Sequence, residues 1–437
     1  MIAPRVIGAA LLALLPPPGL PSLAAQTADS LPVVSLAQAR RLAAAVDPEL
    51  VASRADVATA GWERRSARAD LLTPNLFAGL SYIRFSEPFF NFGTGDISPN
   101  ATSATLEARY VALGAGKLSE VRRAGASAAS ALANETASSF RSALVTDAAY
   151  YAVLAELELS RVAAARLSRA LEQLGVARVR VQAGETIATD SLQLVLEVNR
   201  ARLDVLRRDS ALIVSRLRLG RQIGLPGPAD ARAVDSLPPP PLPMTFDEAV
   251  ADLRTRGPEL LAARAEERRA AASLGAQREG YLPDVTLSAT TGAYDSEFFP
   301  SATKRSQFAV TVSVPIWDGA RRELSVARAR AERDVARAVR DDLDRAAALG
   351  MAEVFNGYRT ARAGIELAMV GVAVSTETYR VQGARYREGE TTILDLLEAQ
   401  VALSQSEAEL VQARYGARLA LSQIEARLGR RLFQDPS

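Results

Sequence analysis

The chain has 437 residues, 52 Lys+Arg against 50 Asp+Glu, 48% hydrophobic but only 5% aromatic residues, and neither His nor Cys. That excludes triads, zinc sites and haem ligation built on either side chain, and any disulfide; a metal site would need carboxylates, and a catalytic base Asp, Glu, Lys or Tyr. A formal charge of +2 argues against a nucleic-acid partner, which requires a basic, phosphate-neutralising patch.

In chain order, residues 1–25 read as a signal peptide. Arg5 supplies the positive region, residues 6–15 an apolar run, and Ser22-Leu23-Ala24-Ala25 a small-residue cleavage site. The run is too short to span a bilayer, and Pro16-Pro17-Pro18 would end it. No later stretch approaches the ~18 apolar residues a membrane helix requires, so any crossing must use strands.

The mature chain reads as two copies of one unit, 26–225 and 245–437, joined by a stiff proline-rich linker at 226–244 that contains Pro238-Pro239-Pro240-Pro241. Pro48-Glu49-Leu50 matches Pro258-Glu259-Leu260, and the pairs Gly114/Gly319, Gly184/Gly389, Asp190/Asp395 and Gly224/Gly429 all lie 205 residues apart. Each copy predicts two short helices (35–46 and 48–72; 245–256 and 258–280), then a β-hairpin (74–113; 282–316), then a long helical hairpin (115–223; 320–430). The long arms, 115–182 and 320–387, contain no proline. At ~1.5 Å per residue each is a rod of about 100 Å, which no globular domain encloses. The geometry expected is one full-length helix flanked by two half-length ones, with the linker at mid-height.

The strands alternate with period two. Phe308, Val310, Val312 and Val314 share one face of 306–314; Val285, Leu287 and Ala289 share one face of 284–290; Ala104, Leu106, Ala108 and Tyr110 share one face of 104–111. Residues 76–85 are apolar on both faces until Arg84. Each run, at about 9–11 residues, can cross a bilayer as a tilted barrel strand. The connecting loops carry Phe85, Phe89, Phe90 and Phe92, and Tyr294, Phe298 and Phe299, where an interfacial girdle belongs. Four strands cannot close a barrel, and open edges in lipid cost several kcal/mol per unpaired group, so strands must be pooled between copies. Three copies supply twelve. A soluble sheet edge with apolar loops is the competing reading of the strands.

Two motifs carry a family resemblance. Residues 386–400, Tyr386-Arg387-Glu388-Gly389 through Asp395-Leu396-Leu397-Glu398-Ala399-Gln400, are similar to the second hairpin turn of the TolC-like outer membrane efflux protein family, Tyr-x-x-Gly-x-x-x-x-x-Asp-x-Leu-x-Ala. Pro315-Ile316-Trp317-Asp318-Gly319 resembles that family's strand-to-helix junction; copy one is degenerate there. The resemblance covers essentially the whole mature chain. It implies a mainly α fold with a small β part: a tandem structural repeat whose long coiled helical hairpins form a periplasmic α-barrel, and whose four strands per chain contribute to a trimeric 12-stranded transmembrane β-barrel. It implies a homotrimer in outer membrane lipid of a Gram-negative bacterium, with a periplasmic adaptor (membrane fusion protein) and an inner-membrane transporter as partners, and no cofactor.

Site roles follow from the same resemblance. Asp395 and Glu398 match positions that ring the periplasmic aperture with carboxylates. Tyr386 and Asp190 match a pair that latches neighbouring hairpins. Gly184, Glu185, Thr186, Gly389, Glu390 and Thr391 form the hairpin turns that contact the adaptor. The usual Arg partner of the latch falls at Thr391, and Val181 replaces the Tyr in copy one. Asp395 and Glu398, three residues apart, share a helical face, and six carboxylates in a trimer would raise one another's pKa. Two plainer readings stay open: Thr392 and Asp395 have capping-box spacing, and a tyrosine at a turn can simply be packed. The functional expectation is a passive exit duct for small toxic or amphiphilic compounds in a tripartite efflux system. The alternatives are the outer membrane channel of a type I protein secretion system and a periplasmic coiled-coil scaffold. An enzyme lacks support: no nucleophile–base set, phosphate loop or metal cluster stands in the sequence.

Overall fold

The structure, a computed structural model, describes residues 31–90, 95, 97–114, 116–184, 188–232, 239–296 and 302–433. The leader, Glu185 and Thr186, and the loop aromatics Phe92, Phe298 and Phe299 lie outside them.

In each copy two short helices abut through a proline. Helix α1 (Leu36–Val46) begins with a capping box between Ser35 and Gln38, and α2 (Pro48–Leu72) follows with Asp47 as its N-cap and Pro48 in its first turn. In copy two, α5 (Phe246–Arg256) has a Thr245–Glu248 capping box, and α6 (Pro258–Glu279) starts on Pro258. The long helices α3 (Lys117–Gln182) and α7 (Arg321–Glu388) run 66 and 68 residues, and α4 (Ala188–Gln222) and α8 (Ile393–Leu428) return beside them. At the sheet end α3 packs between α2 and α6; at the far end it packs between α4 and α8. Helix α7 lies against α6 and then α8. One continuous rod therefore carries a different pair of half-length neighbours over each half.

The two halves meet at mid-height. Tyr150, in the middle of α3, donates its hydroxyl to the Arg232 carbonyl at 2.7 Å, and Tyr358, in the middle of α7, donates to the Pro240 carbonyl. Both ends of the described linker are thus pinned beside the centres of the rods. A two-stranded parallel pair, β1 (Val33–Val34) with β4 (Asp230–Ala231), adds to this belt. It is too short to leave a sequence signal.

The remaining strands form one antiparallel sheet in the order β2 (Asn75–Phe90), β3 (Ile97–Leu113), β5 (Asp284–Asp295), β6 (Thr303–Ser313). Strands β2 and β3 are 16 and 17 residues, longer than the 9–11 expected. The alternation breaks at Ser86-Glu87-Pro88, but the pairing resumes after a register shift between Arg84 and Phe89. Pro88 is tolerated because β2 is an edge strand with an irregularity at that point.

Register sorts the faces. Leu76, Ala108, Ala289 and Phe308 line up across the four strands, followed by Tyr110, Leu287 and Val310, and then by Val285 and Val312. On the opposite face Asn75, Arg109 and Ser288 align, as do Glu107, Thr290 and Gln307. Leu76, Leu80, Phe308, Val310 and Val312 are exposed in the protomer. A row of exposed aliphatic and aromatic side chains on one face, backed by paired charges such as Arg109 and Glu107 at 2.8 Å on the other, is the pattern of a lipid-facing sheet with a wet interior.

Candidate functional site

The helical hairpins turn at the end farthest from the sheet, and there the two copies meet. Gly389 ends α7 with φ +80°; its N–H donates to the Tyr386 carbonyl at 3.2 Å, and the Glu390 N–H to the Arg385 carbonyl at 2.9 Å. Gly184 takes φ +76° just beyond α3. A left-handed residue at each position lets the chain reverse at little steric cost.

Between the turns lies a small apolar core. Leu174 and Ala177 of α3, Leu194 and Val198 of α4, and Ile393 and Leu396 of α8 enclose Tyr386, which is 2% exposed. The Asp190 carboxylate, in the first turn of α4, lies beside the Tyr386 hydroxyl. Burial, and then Asp190, push the phenol pKa up, while Arg180 opposes them. The phenol is accordingly protonated, and its buried hydroxyl makes no hydrogen bond of full geometry among the described residues of the protomer.

Arg180, in the last turn of α3, is a site residue that sequence reasoning missed. Its guanidinium sits 5.1 Å from the centroid of the Tyr386 ring, and its Nη1 donates to the Tyr386 carbonyl. The structure therefore gathers Tyr386, Asp190 and Arg180 from three helices. Arg180 and Tyr386 are 206 residues apart, and no periodicity or motif links them. Only the missing cation at Thr391 hinted that one was needed elsewhere.

Asp395 and Glu398 lie one turn apart on an exposed face of α8. The Asp395 carboxylate is engaged locally. Oδ2 accepts from Thr392 Oγ1 at 2.6 Å, Thr391 Oγ1 at 2.8 Å and the Thr392 N–H at 3.0 Å, and Thr392 Oγ1 accepts from the Asp395 N–H at 3.3 Å. The capping box is formed, and Thr391 is part of the same cluster. Within the protomer these bonds hold the Asp395 carboxyl below its ordinary pKa, Thr392 contributing most and Thr391 next. This is opposite in direction to the rise expected from a ring of carboxylates. Glu390 in the turn is exposed, with Arg385 Nε at 3.8 Å. Among the described residues no group of three acidic side chains is placed to hold a metal ion.

Comparison with known proteins places this architecture. Residues 249–430 match the family model described as outer membrane efflux protein. Over 181 residues the chain is 26% identical to outer membrane protein OprJ of Pseudomonas aeruginosa, and over 206 residues 24% identical to outer membrane protein TolC of Escherichia coli K12. These matches take in 41% and 44% of this chain. The solved structure of the outer membrane protein VceC from Vibrio cholerae superposes over 91% of this chain and 97% of its own, with a TM-score of 0.76 at 19% identity.

Residues 249–430, the second repeat, carry the outer membrane efflux protein signature, and the whole chain shares the fold of VceC. Its relatives are channels rather than enzymes. The matched segments span 38% and 42% of OprJ and TolC, well under two thirds of either. The matched relatives are outer membrane proteins of Gram-negative bacteria, which places this chain in the outer membrane. No helix among the described residues is long and apolar enough to cross a membrane.

Proposed function

We propose that the protein is the passive exit duct of a tripartite efflux system, carrying small toxic or amphiphilic compounds from periplasm to exterior. The observation that carries this reading is a four-stranded sheet, open at both edges and apolar on one face, that leads directly into two long helical hairpins. Three protomers closing edge to edge would satisfy the open backbone groups in lipid and extend the barrel into a helical tube. Energy comes from an inner-membrane transporter, and a periplasmic adaptor engages the turns at Gly184, Glu185, Thr186, Gly389, Glu390 and Thr391.

In this account Asp395 and Glu398 of three chains ring the periplasmic aperture and favour cations. Tyr386 and Asp190 form the latch that keeps the hairpins together at rest. The partners open it by contacts that differ between the closed and open states, since a ligand shifts an equilibrium only through differential affinity. A cargo of soft metal ions has little support, because the chain has no His or Cys and only four Met.

The test is single-channel conductance in planar bilayers. The variant Tyr386→Phe, Asp190→Ala should conduct more than wild type. Unchanged conductance would dispose of the latch.

A further inference from the structure

We propose that Arg180 is the cation of the tip lock, capping helix α7 from the opposite repeat and holding Tyr386 in place. This deepens the latch reading and rests on it.

Two contacts converge on one guanidinium, and the Gly389 turn lies close beside it. Nη1 donates to the Tyr386 carbonyl, the charged plane covers the Tyr386 ring at 5.1 Å, and a Cβ placed on Gly389 would lie 3.4 Å from Nη2. The Tyr386 carbonyl belongs to the last turn of α7, where the helix dipole leaves partial negative charge. It already accepts the Gly389 N–H at 3.2 Å, and a carbonyl has a second lone pair for Arg180. A cation at a helix C-terminus normally comes from that helix's own last turn. Here α7's own Arg387 donates to the Gly383 carbonyl at 3.2 Å, and Arg180 of α3 adds a second cation at the Tyr386 carbonyl, so releasing α7 from α3 removes that cap.

Engaging the ring and the carbonyl of one residue fixes both its side chain and its backbone, which sets where the phenol points. Asp190, on the helix that follows α3, is the group beside that phenol. Arginine is well suited to this position, because its plane stacks on an aromatic face while its edge donates in a fixed direction, which a lysine ammonium cannot reproduce. Thr391, where the family's latch has its arginine, spends its hydroxyl on Asp395 and offers no charge. Arg180 supplies that charge from within the same protomer.

Arg180 is also the lowest rung of a ladder. One heptad up α3, Gln173 Nε2 donates to Tyr379 Oη at 3.3 Å, and Tyr379 stands seven residues before Tyr386. Above that, Arg169 pairs with Glu407 at 2.8 Å and reaches Ser404 at 3.3 Å. The rung nearest the aperture is the one whose loss frees the tip while the upper rungs hold the hairpins together.

The experiment compares single-channel conductance and trimer heat stability for wild type, Arg180→Met, Arg180→Lys, Arg169→Met, and Tyr386→Phe with Asp190→Ala. Arg180→Met keeps the stem and removes the charge. It should raise the open fraction by roughly tenfold, the size of one charge-assisted hydrogen bond. It should add little to Tyr386→Phe, Asp190→Ala when combined with it, and leave the melting of the trimer unchanged. Arg180→Lys should fall between wild type and Met, and Arg169→Met should stay near wild type. If Tyr386→Phe, Asp190→Ala conducts more and Arg180→Met does not, the inference about Arg180 is wrong and the latch stands. If the Tyr386 and Asp190 variant is itself unchanged, the latch reading fails, whatever Arg180 does. Should Arg180→Met not assemble, Arg180→Gln, which keeps a neutral donor, should show a several-fold rise; wild-type conductance there overturns the proposal.

Discussion

Gly389 shows how much a single backbone angle can control. Its φ of +80° lies where a side chain is strained, and a methyl there would sit in contact with Arg180 at 3.4 Å. Gly389→Ala should destabilise the turn by about 1 kcal/mol, read as faster amide exchange at the end of α7 with the rest of the helix unchanged. Just beyond the turn, Thr392 and Asp395 exchange side-chain and backbone hydrogen bonds at the start of α8. Thr392→Ala should cost about 1 kcal/mol of local stability. Because the Asp395 carboxyl is held below its unfolded value, its contribution is present above that value and is lost as pH falls through the lower, folded one. The protection factor at 392–395, the exchange rate of unstructured peptide over that observed at the same pH, should therefore be flat above about pH 5 and fall below about pH 4 in wild type. A flat profile across the whole range would show that the carboxylate does no such work.

At the scale of elements, mid-height is tied across the two repeats by a buried charge. Asp147 of α3, with a fully buried side chain, accepts from Arg40 Nε at 2.6 Å and Nη2 at 2.7 Å, and Arg431 lies 3.6 Å away. Arg431 also bonds Glu425 at 2.8 Å, so the segment after α8 is tied to α3 of the other repeat. Arg40→Met would leave Asp147 buried and poorly compensated, at a cost of about 3 kcal/mol in denaturant melts, and adding Asp147→Leu should restore most of it. An equal loss in single and double variants would deny the pair its role. These elements differ in how far the sequence reveals them. Helix length is legible, because proline is absent from both long arms while Pro48 and Pro258 mark starts. The apolar strand faces are legible in 284–290 and 306–314 from strict alternation. The extension of β2 past Arg84 is not, because Ser86-Glu87-Pro88 erases the period and pairing with β3 decides. The left-handed glycine before α3 is Gly116, at φ +97°, whereas before α7 it is Gly319, the match of Gly114. Sequence register is blind to a shift of two residues in a loop. At the tip, Asp190 and Tyr386 are marked by a motif, but Arg180 belongs to a contact between repeats that one sequence does not reveal.

At the scale of the molecule, the protomer has two raw sides. Strands β2 and β6 are the sheet edges, and since each neighbour in the sheet is antiparallel, β6 of one copy can pair antiparallel with β2 of the next. Below them the outer helices expose apolar stripes: Leu196, Leu203, Leu206 and Ile213 on α4, and Leu367, Val370, Val374 and Val381 on α7. Their near-heptad spacing suits packing of α7 against α4 of the next copy. In the proposed trimer, the rotation that pairs the strand edges is expected to cover both stripes. The chain contains no cysteine, so an introduced pair gives an unambiguous report. Single cysteines placed along β2, at Leu76, Ala78 and Leu80, should be combined with single cysteines along β6, at Phe308, Val310 and Val312, and oxidised in outer membrane fractions. At the matching register the account predicts covalent dimers and trimers, with no product from either cysteine alone. Absence of cross-linked species at every register, together with extraction of the protein as a water-soluble monomer, would contradict it.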